Sequence, residues 1–248
     1  MSPIVLPESP AQEFHRSRFD AAEFDAVAFQ YEEALQRGLK ASGESSDYFA
    51  SARATWTRKR LDGLSIPRSL PRAIDFGCGT GNTIPYLKKD VGYESVIGLD
   101  LSLQSLEVAR ISHPEPSFQF YTPDAYTPRG EADLVFCNGV FHHIPPDERA
   151  SNLQFIRNLL RPGGIFAFWE NNPWNPGTRY VMSRIPFDRD AIPISIPESR
   201  RLIEQSGLQV LSTDTCFYFP RTLKWLRPIE PSLCKIPLGA QYLILSKK

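Results

Sequence analysis

The chain has no surplus of charge. Lys plus Arg and Asp plus Glu both number 28 among 248 residues, so no overall field draws it to nucleic acid or to anionic membranes. It has no apolar run of the ~18 residues that a bilayer crossing needs. Its opening, "MSPIVLPESPAQ", lacks both the basic start and the long apolar stretch of an export signal. Cysteine is sparse and unpaired: Cys78, Cys137, Cys216 and Cys234 form no CxxC and no Cys/His spacing of a zinc site. The expectation is a cytoplasmic protein with reduced thiols, no metal, and neither nucleic acid nor membrane as partner; the oligomeric state is left open. Internal repeats and low-complexity segments are also missing. The 42% hydrophobic content is ordinary for a globular chain.

What the sequence does have is glycine, concentrated in one place. "AIDFGCGTGN", residues 73–82, sets Gly77, Gly79 and Gly81 at alternate positions after a short apolar run. One glycine is enough for a turn, so three point to close backbone approach by a ligand. A dinucleotide fingerprint needs its third glycine where Asn82 stands, and a phosphate-binding loop of the Walker type needs a lysine that is not there. Neither motif fits.

Around this loop the chain alternates between strand-like and helix-like segments. Helix-prone stretches over 19–39 and 45–61 lead to "RAIDF", then the loop and the short helix "NTIPYLKKD". "SVIGLD" is followed by a helix capped by Ser102, then "SFQFYTPD" and the nearly continuous apolar run "ADLVFCNG", suited to a strand buried on both faces. In the next helix Leu153, Ile156 and Leu160 share a face; "RPGG" reads as a turn before "IFAFWE". Ser195 and Glu198 have the spacing of a capping box, Gly207 stops that helix, and "LQVLSTDTCFYF" and "QYLILSK" are the last strands. The alternation predicts an α/β fold with a doubly wound parallel sheet. We expect one domain over 1–248: tail and helical cap to 67, a core over 68–172, and a C-terminal half with an insertion over 217–238.

The pattern Asp75-x-Gly77-x-Gly79-x-Gly81 resembles the first motif of the class I S-adenosylmethionine-dependent methyltransferases. The likeness continues in order: Asp100 after the second strand, Asp124-Ala125 after the third, "CNGVFHHIPPDE" after the fourth and "LLRPGG" before the fifth. It covers roughly residues 68–172 and is nearest to the small-molecule branch that includes ubiquinone/menaquinone C-methylase-like proteins. The Asn/Asp-Pro-Pro-Tyr motif of amide and base-amine methylases is missing.

This resemblance implies a Rossmann-like, seven-stranded, mostly parallel sheet with an antiparallel last strand and an N-terminal helical cap. It implies S-adenosylmethionine as cofactor, held by Asp75, Gly77, Gly79, Asn82, Asp100, Leu101, Asp124, Ala125 and Asn138, with Asp100 on the ribose hydroxyls. Arg53, on a helix that in the family often folds over the cofactor, is expected at the methionine carboxylate. Tyr31, Trp169, Glu170 and Asn171 are expected to meet a small organic acceptor. O-methylation is favoured, with carbon or nitrogen, or a non-catalytic cofactor-binding role, as alternatives. His142 and His143 are the expected catalytic pair, His143 preferred as general base; the competing reading is that they cap or pack the next helix.

Overall fold

The computed structural model describes residues 37–40, 42–66, 72–185, 188 and 191–248. Helix α1 spans Ser46–Gly63, and Ser45 caps it by accepting from the Tyr48 N–H at 3.1 Å. Its buried residues, Ser46, Ala50, Arg53, Ala54, Thr57 and Leu61, fall at intervals of three and four. Within that stripe Ala54 and Leu61 belong to the same core as Ala73 and Trp169 of the sheet. The expected helix over 19–39 lies outside the described residues except for its final turn, and Tyr31 lies outside them altogether.

Seven strands form one sheet in the order β3-β2-β1-β4-β5-β7-β6. They are β1 Arg72–Phe76, β2 Ser95–Leu99, β3 Phe118–Tyr121, β4 Ala132–Asn138, β5 Leu160–Asn171, β6 Gln209–Cys216 and β7 Gln241–Lys247. β1 pairs in parallel with β2 and β4, and β7 runs antiparallel to both β5 and β6. The expected mostly parallel sheet with an antiparallel last strand is thus the observed one. Chain order reverses between β1 and β4, and such a switch point opens a crevice beyond the carboxyl ends of the strands.

Alternate residues of the central strands feed two cores, one on each face. Ala73, Phe136 and Trp169 lie in one; Ile74, Cys137 and Phe168 lie in the other. The crossings are α2 Ile84–Tyr86, α3 Leu103–Ser112, α4 Arg149–Leu159, α5 Pro176–Met182 and α6 Ile196–Gln205. Ser102 caps α3 as expected, accepting from the Ser105 N–H at 3.0 Å.

Local chemistry departs from the sequence reading at three points. The helix after the glycine loop widens into a π-helical turn over Leu87–Val91, closed by Gly92 at φ +99°. "RPGG" does not precede β5 but lies inside it: Leu160 already pairs with Ala132, and pairing resumes at Ile165 after an irregularity. The Ser195 hydroxyl makes no capping bond. Glu198 instead faces Arg149 at 3.3 Å, drawn by a guanidinium that is 1% exposed and needs a counter-charge.

Between β6 and β7 the insertion forms a 3-10 helix over Arg221–Ile229 and then α7, Glu230–Leu233. It is fastened to the start of α1. The Arg221 N–H donates to Ser42 at 2.9 Å, Arg227 pairs with Glu44 at 2.9 Å, and Phe217 meets Phe49 edge-on at 5.1 Å.

Candidate active site

A cavity of about 370 Å³ opens between the carboxyl ends of β4 and β5, the start of α1, α5 and the insertion. Its polar lining includes Arg53, Asn138, His142, His143, Asn171 and Asp188. Its apolar wall includes Phe49 and Phe217. Few polar groups on an apolar wall is the composition of a small-molecule site.

The glycine loop adjoins this cavity through Val140, the residue after Gly139. A Cβ on Gly77 would come within 2.3 Å of the Val140 side chain, so this glycine is needed for packing as well as for its φ of +75°. Gly79 differs: at φ +52°, a Cβ there would meet nothing within 4 Å. Open space above a left-handed backbone position is what a ligand pressed against the loop requires. Asp100 fixes the loop from the next strand end. Its Oδ2 accepts from the Gly79 N–H at 2.7 Å and its Oδ1 from the Ser102 N–H at 2.9 Å.

Asp75 is buried beneath the loop at 3% exposure. Burial, followed by the charge of Asp100, pushes its carboxyl up to about 7 against the opposing pull of Arg53. Arg53 donates through Nη1 to the Gln241 side chain at 3.1 Å, and Gln241 donates to the Asn171 side chain at 3.0 Å. A polar chain therefore runs along one wall from α1 to β5. Asn138, at the end of β4, buries its Oδ1 with no hydrogen-bond donor facing it among the described residues.

The opposite wall is an ionic network. The Oε1 of Glu170 accepts from the backbone N–H groups of Phe141 at 2.7 Å and His142 at 3.3 Å; its Oε2 accepts from the Asn171 N–H at 3.1 Å and lies 2.7 Å from His142 Nδ1. Burial would raise Glu170, but His142 outweighs it and holds the group below its ordinary value. Asp188 lies 3.6 Å from His142 Nε2 and 3.4 Å from His143 Nε2. Burial lowers His142, yet the carboxylates of Glu170 and Asp188 prevail and push it up to about 10. His143 is lowered by burial, opposed by Asp188 and reinforced by the neighbouring His142.

Several expected contacts are corrected by this geometry. Trp169 is fully buried, its indole N–H donating to Thr57 at 3.1 Å, and it anchors α1 rather than facing the cavity. Glu170 is likewise fully buried and reaches the cavity only through His142. Of the described residues expected at the acceptor, Asn171 alone lines the space. Asp124, Ala125, Asn82 and Leu101, expected at the cofactor, lie outside the cavity as the glycine loop does, Asp124 and Ala125 exposed on the turn after β3 and Asn82 and Leu101 half-buried. Asp188 and Gln241 were not singled out in the sequence. Neither stands in a motif, and tertiary packing brings each to the site.

Strand order, switch point and glycine loop together define a Rossmann-like fold of the methyltransferase type. Residues 74–168 match the family model described as a methyltransferase domain. Trans-aconitate 2-methyltransferase of Methylobacterium radiotolerans is 37% identical over 103 residues, 41% of this chain and 39% of its own length. The enzyme of the same name from Rhizobium leguminosarum is 34% identical over 113 residues, 45% of this chain and 43% of its own length. The chain thus spans less than half the length of these curated relatives. A methyltransferase structure from Archaeoglobus fulgidus superposes with a TM-score of 0.59 at 17% identity, covering 89% of this chain and 99% of that one. Over residues 74–168 the chain is thus similar to methyltransferase domains, and its fold is that of solved methyltransferases that use S-adenosylmethionine as cofactor. The residues present fit that cofactor: space over Gly79, an acidic Asp100 at the neighbouring strand end, and the Asn138 oxygen awaiting a donor.

Proposed function

We propose that this protein transfers the methyl group of S-adenosylmethionine to an oxygen of a small organic acid held in the cavity. One observation carries the reading: Arg53, buried to 8% exposure, lines the same space as Asn138 beside the glycine loop. A buried guanidinium there suits a carboxylate, whether the cofactor's own or the acceptor's. The names of the trans-aconitate relatives support an acidic acceptor.

A carboxylate is already ionised at neutral pH, so its methylation needs in-line placement and no proton removal. With saturating cofactor, kcat on di- and tricarboxylates should stay flat from about pH 6 to 9. A hydroxyl acceptor would instead give a rate that climbs with pH. Absence of turnover on any acid, with tight cofactor binding intact, would favour the non-catalytic alternative.

Asp100 and Asp75 give two tests of the cofactor site. Asp100→Ala removes the proposed ribose acceptor and the bond that holds Gly79. S-adenosylmethionine binding should weaken by about 1.5–3 kcal/mol, the range for hydrogen bonds to a charged group. Unchanged affinity by calorimetry in a folded variant would take Asp100 out of the site. Asp75, with its pKa near 7, should ionise when the cationic cofactor arrives. Affinity is then expected to rise with pH, by up to about tenfold per unit below pH 7, and to level off above pH 8. Calorimetry at pH 6 in two buffers of different ionisation heat should register a released proton. Asp75→Asn should abolish the slope, and a slope that persists would assign it to another group.

A further inference from the structure

His142, His143 and Asp188 bring two imidazoles and a carboxylate to one point of the cavity wall. Their ligating atoms all lie within 4.8 Å of one another. The spacing is informative. At 3.6 and 3.4 Å, the Asp188 oxygen is too far from the two Nε2 atoms for well-formed hydrogen bonds, which cluster near about 2.9 Å. Two ligands of one tetrahedral ion, each about 2.0–2.1 Å from it, stand about 3.3 Å apart. The observed separations suit a shared ion, whose binding would displace the proton from His142 Nε2.

The partner of His142 on its other side strengthens this reading. Glu170 accepts three backbone N–H groups and cannot donate, so the proton on the Nδ1 side belongs to the imidazole. That hydrogen bond fixes the ring and turns Nε2 toward Asp188. A carboxylate–histidine pair of this kind is the usual outer support of a metal ligand. The two imidazole rings pack 4.2 Å apart, which keeps the second nitrogen close to the first. All three side chains line the cavity, so an ion held by them would present its remaining positions to the space.

We propose that His142, His143 and Asp188 bind one divalent first-row transition-metal ion of the zinc type, with open coordination facing the cavity. Two nitrogens and one oxygen form a borderline donor set suited to such ions rather than to calcium or magnesium. Three protein ligands with a position left open is the pattern of a site that takes a substrate atom as its fourth ligand. An acceptor carboxylate would supply that atom, opposite the Arg53 wall. This anchoring role rests on the methyl-transfer reading; the binding of the ion does not. No motif marks the site, because Asp188 is distant in the chain from the histidine pair.

The test uses the full chain stripped of metal with a chelator. ZnCl₂ is titrated by calorimetry, and CoCl₂ is followed by visible absorption. One ion per chain is expected, with the intense visible bands of four-coordinate cobalt. Asp188→Asn should weaken zinc binding by roughly 100-fold or more, and Glu170→Gln, which touches no ion, by about 10–100-fold. Substoichiometric zinc, the faint spectrum of six-coordinate cobalt, or full affinity in Asp188→Asn would each overturn the proposal. Should Asp188→Asn fail to fold, the imidazole resonances of the parent protein decide: those of both His142 and His143 must shift with one equivalent of zinc. Methyl-transfer assays on the same preparations separate the two claims. Stoichiometric zinc without turnover on any acceptor upholds the ion site and sinks the activity, and turnover without zinc binding does the reverse.

Discussion

Glu170→Ala should destabilise the protein by about 3–5 kcal/mol, the cost of removing one member of a buried ion pair. The size follows from what the carboxylate serves. The carboxylate is itself fully buried, and it accepts from the backbone of Phe141, His142 and Asn171 and from the His142 ring. Alanine would strand these donors away from water. It would also leave the cationic His142 with the more distant Asp188 as its remaining counter-charge in this network. Glu170→Gln keeps one acceptor oxygen and should cost less, about 1–3 kcal/mol. Urea unfolding midpoints measure both. A Glu170→Ala variant within 1 kcal/mol of the parent would mean that the network does not hold the β4–β5 edge.

Gly79→Val and Gly77→Val should fail in opposite ways although they lie two residues apart. Gly79→Val has room in the protein, and its stability cost should be the ~1–2 kcal/mol of a left-handed backbone with a side chain. Its branched Cβ occupies the space into which the cofactor must press, so affinity for S-adenosylmethionine should fall by about 100-fold or more, as an overpacking of ~3 kcal/mol implies. Gly77→Val drives a side chain into Val140 at 2.3 Å and should lower the melting temperature first. Thermal melts with and without cofactor distinguish them. A Gly79→Val protein that still gains the parent's full thermal shift on adding cofactor would place the ligand elsewhere.

The sheet was readable because its signals are local and periodic. "ADLVFCN" is apolar on both faces, as a central strand must be, and it occupies the middle of the sheet as β4. The glycine loop was readable because glycine has few other reasons to recur at alternate positions. The rest depended on partners remote in sequence. Ser195 and Glu198 have the spacing of a capping box, yet Arg149 claims the glutamate. Trp169 and Glu170 end a strand at the ligand edge, but their side chains are taken by Thr57 on α1 and by His142. Asp188 and Gln241 carry no motif at all, and their places on the cavity wall come only from tertiary contacts. Pattern reading finds what backbone geometry demands; it does not find which side chain wins a distant partner.

The insertion between β6 and β7 starts and ends at neighbouring points of a hairpin whose pairing is already set, Cys216 opposite Gln241. Its ends are held together by the sheet whatever lies between them. Changing its length therefore carries only the slowly growing entropy of loop closure, about 0.6 kcal/mol for each doubling. The glycine loop stands at the far side of the switch point and shares no strand with it. One wall of the cavity can thus be exchanged as a cassette while the glycine-loop side stays as it is. Grafting a longer or shorter segment onto the same two strand ends should retune which acceptors fit and leave donor affinity untouched.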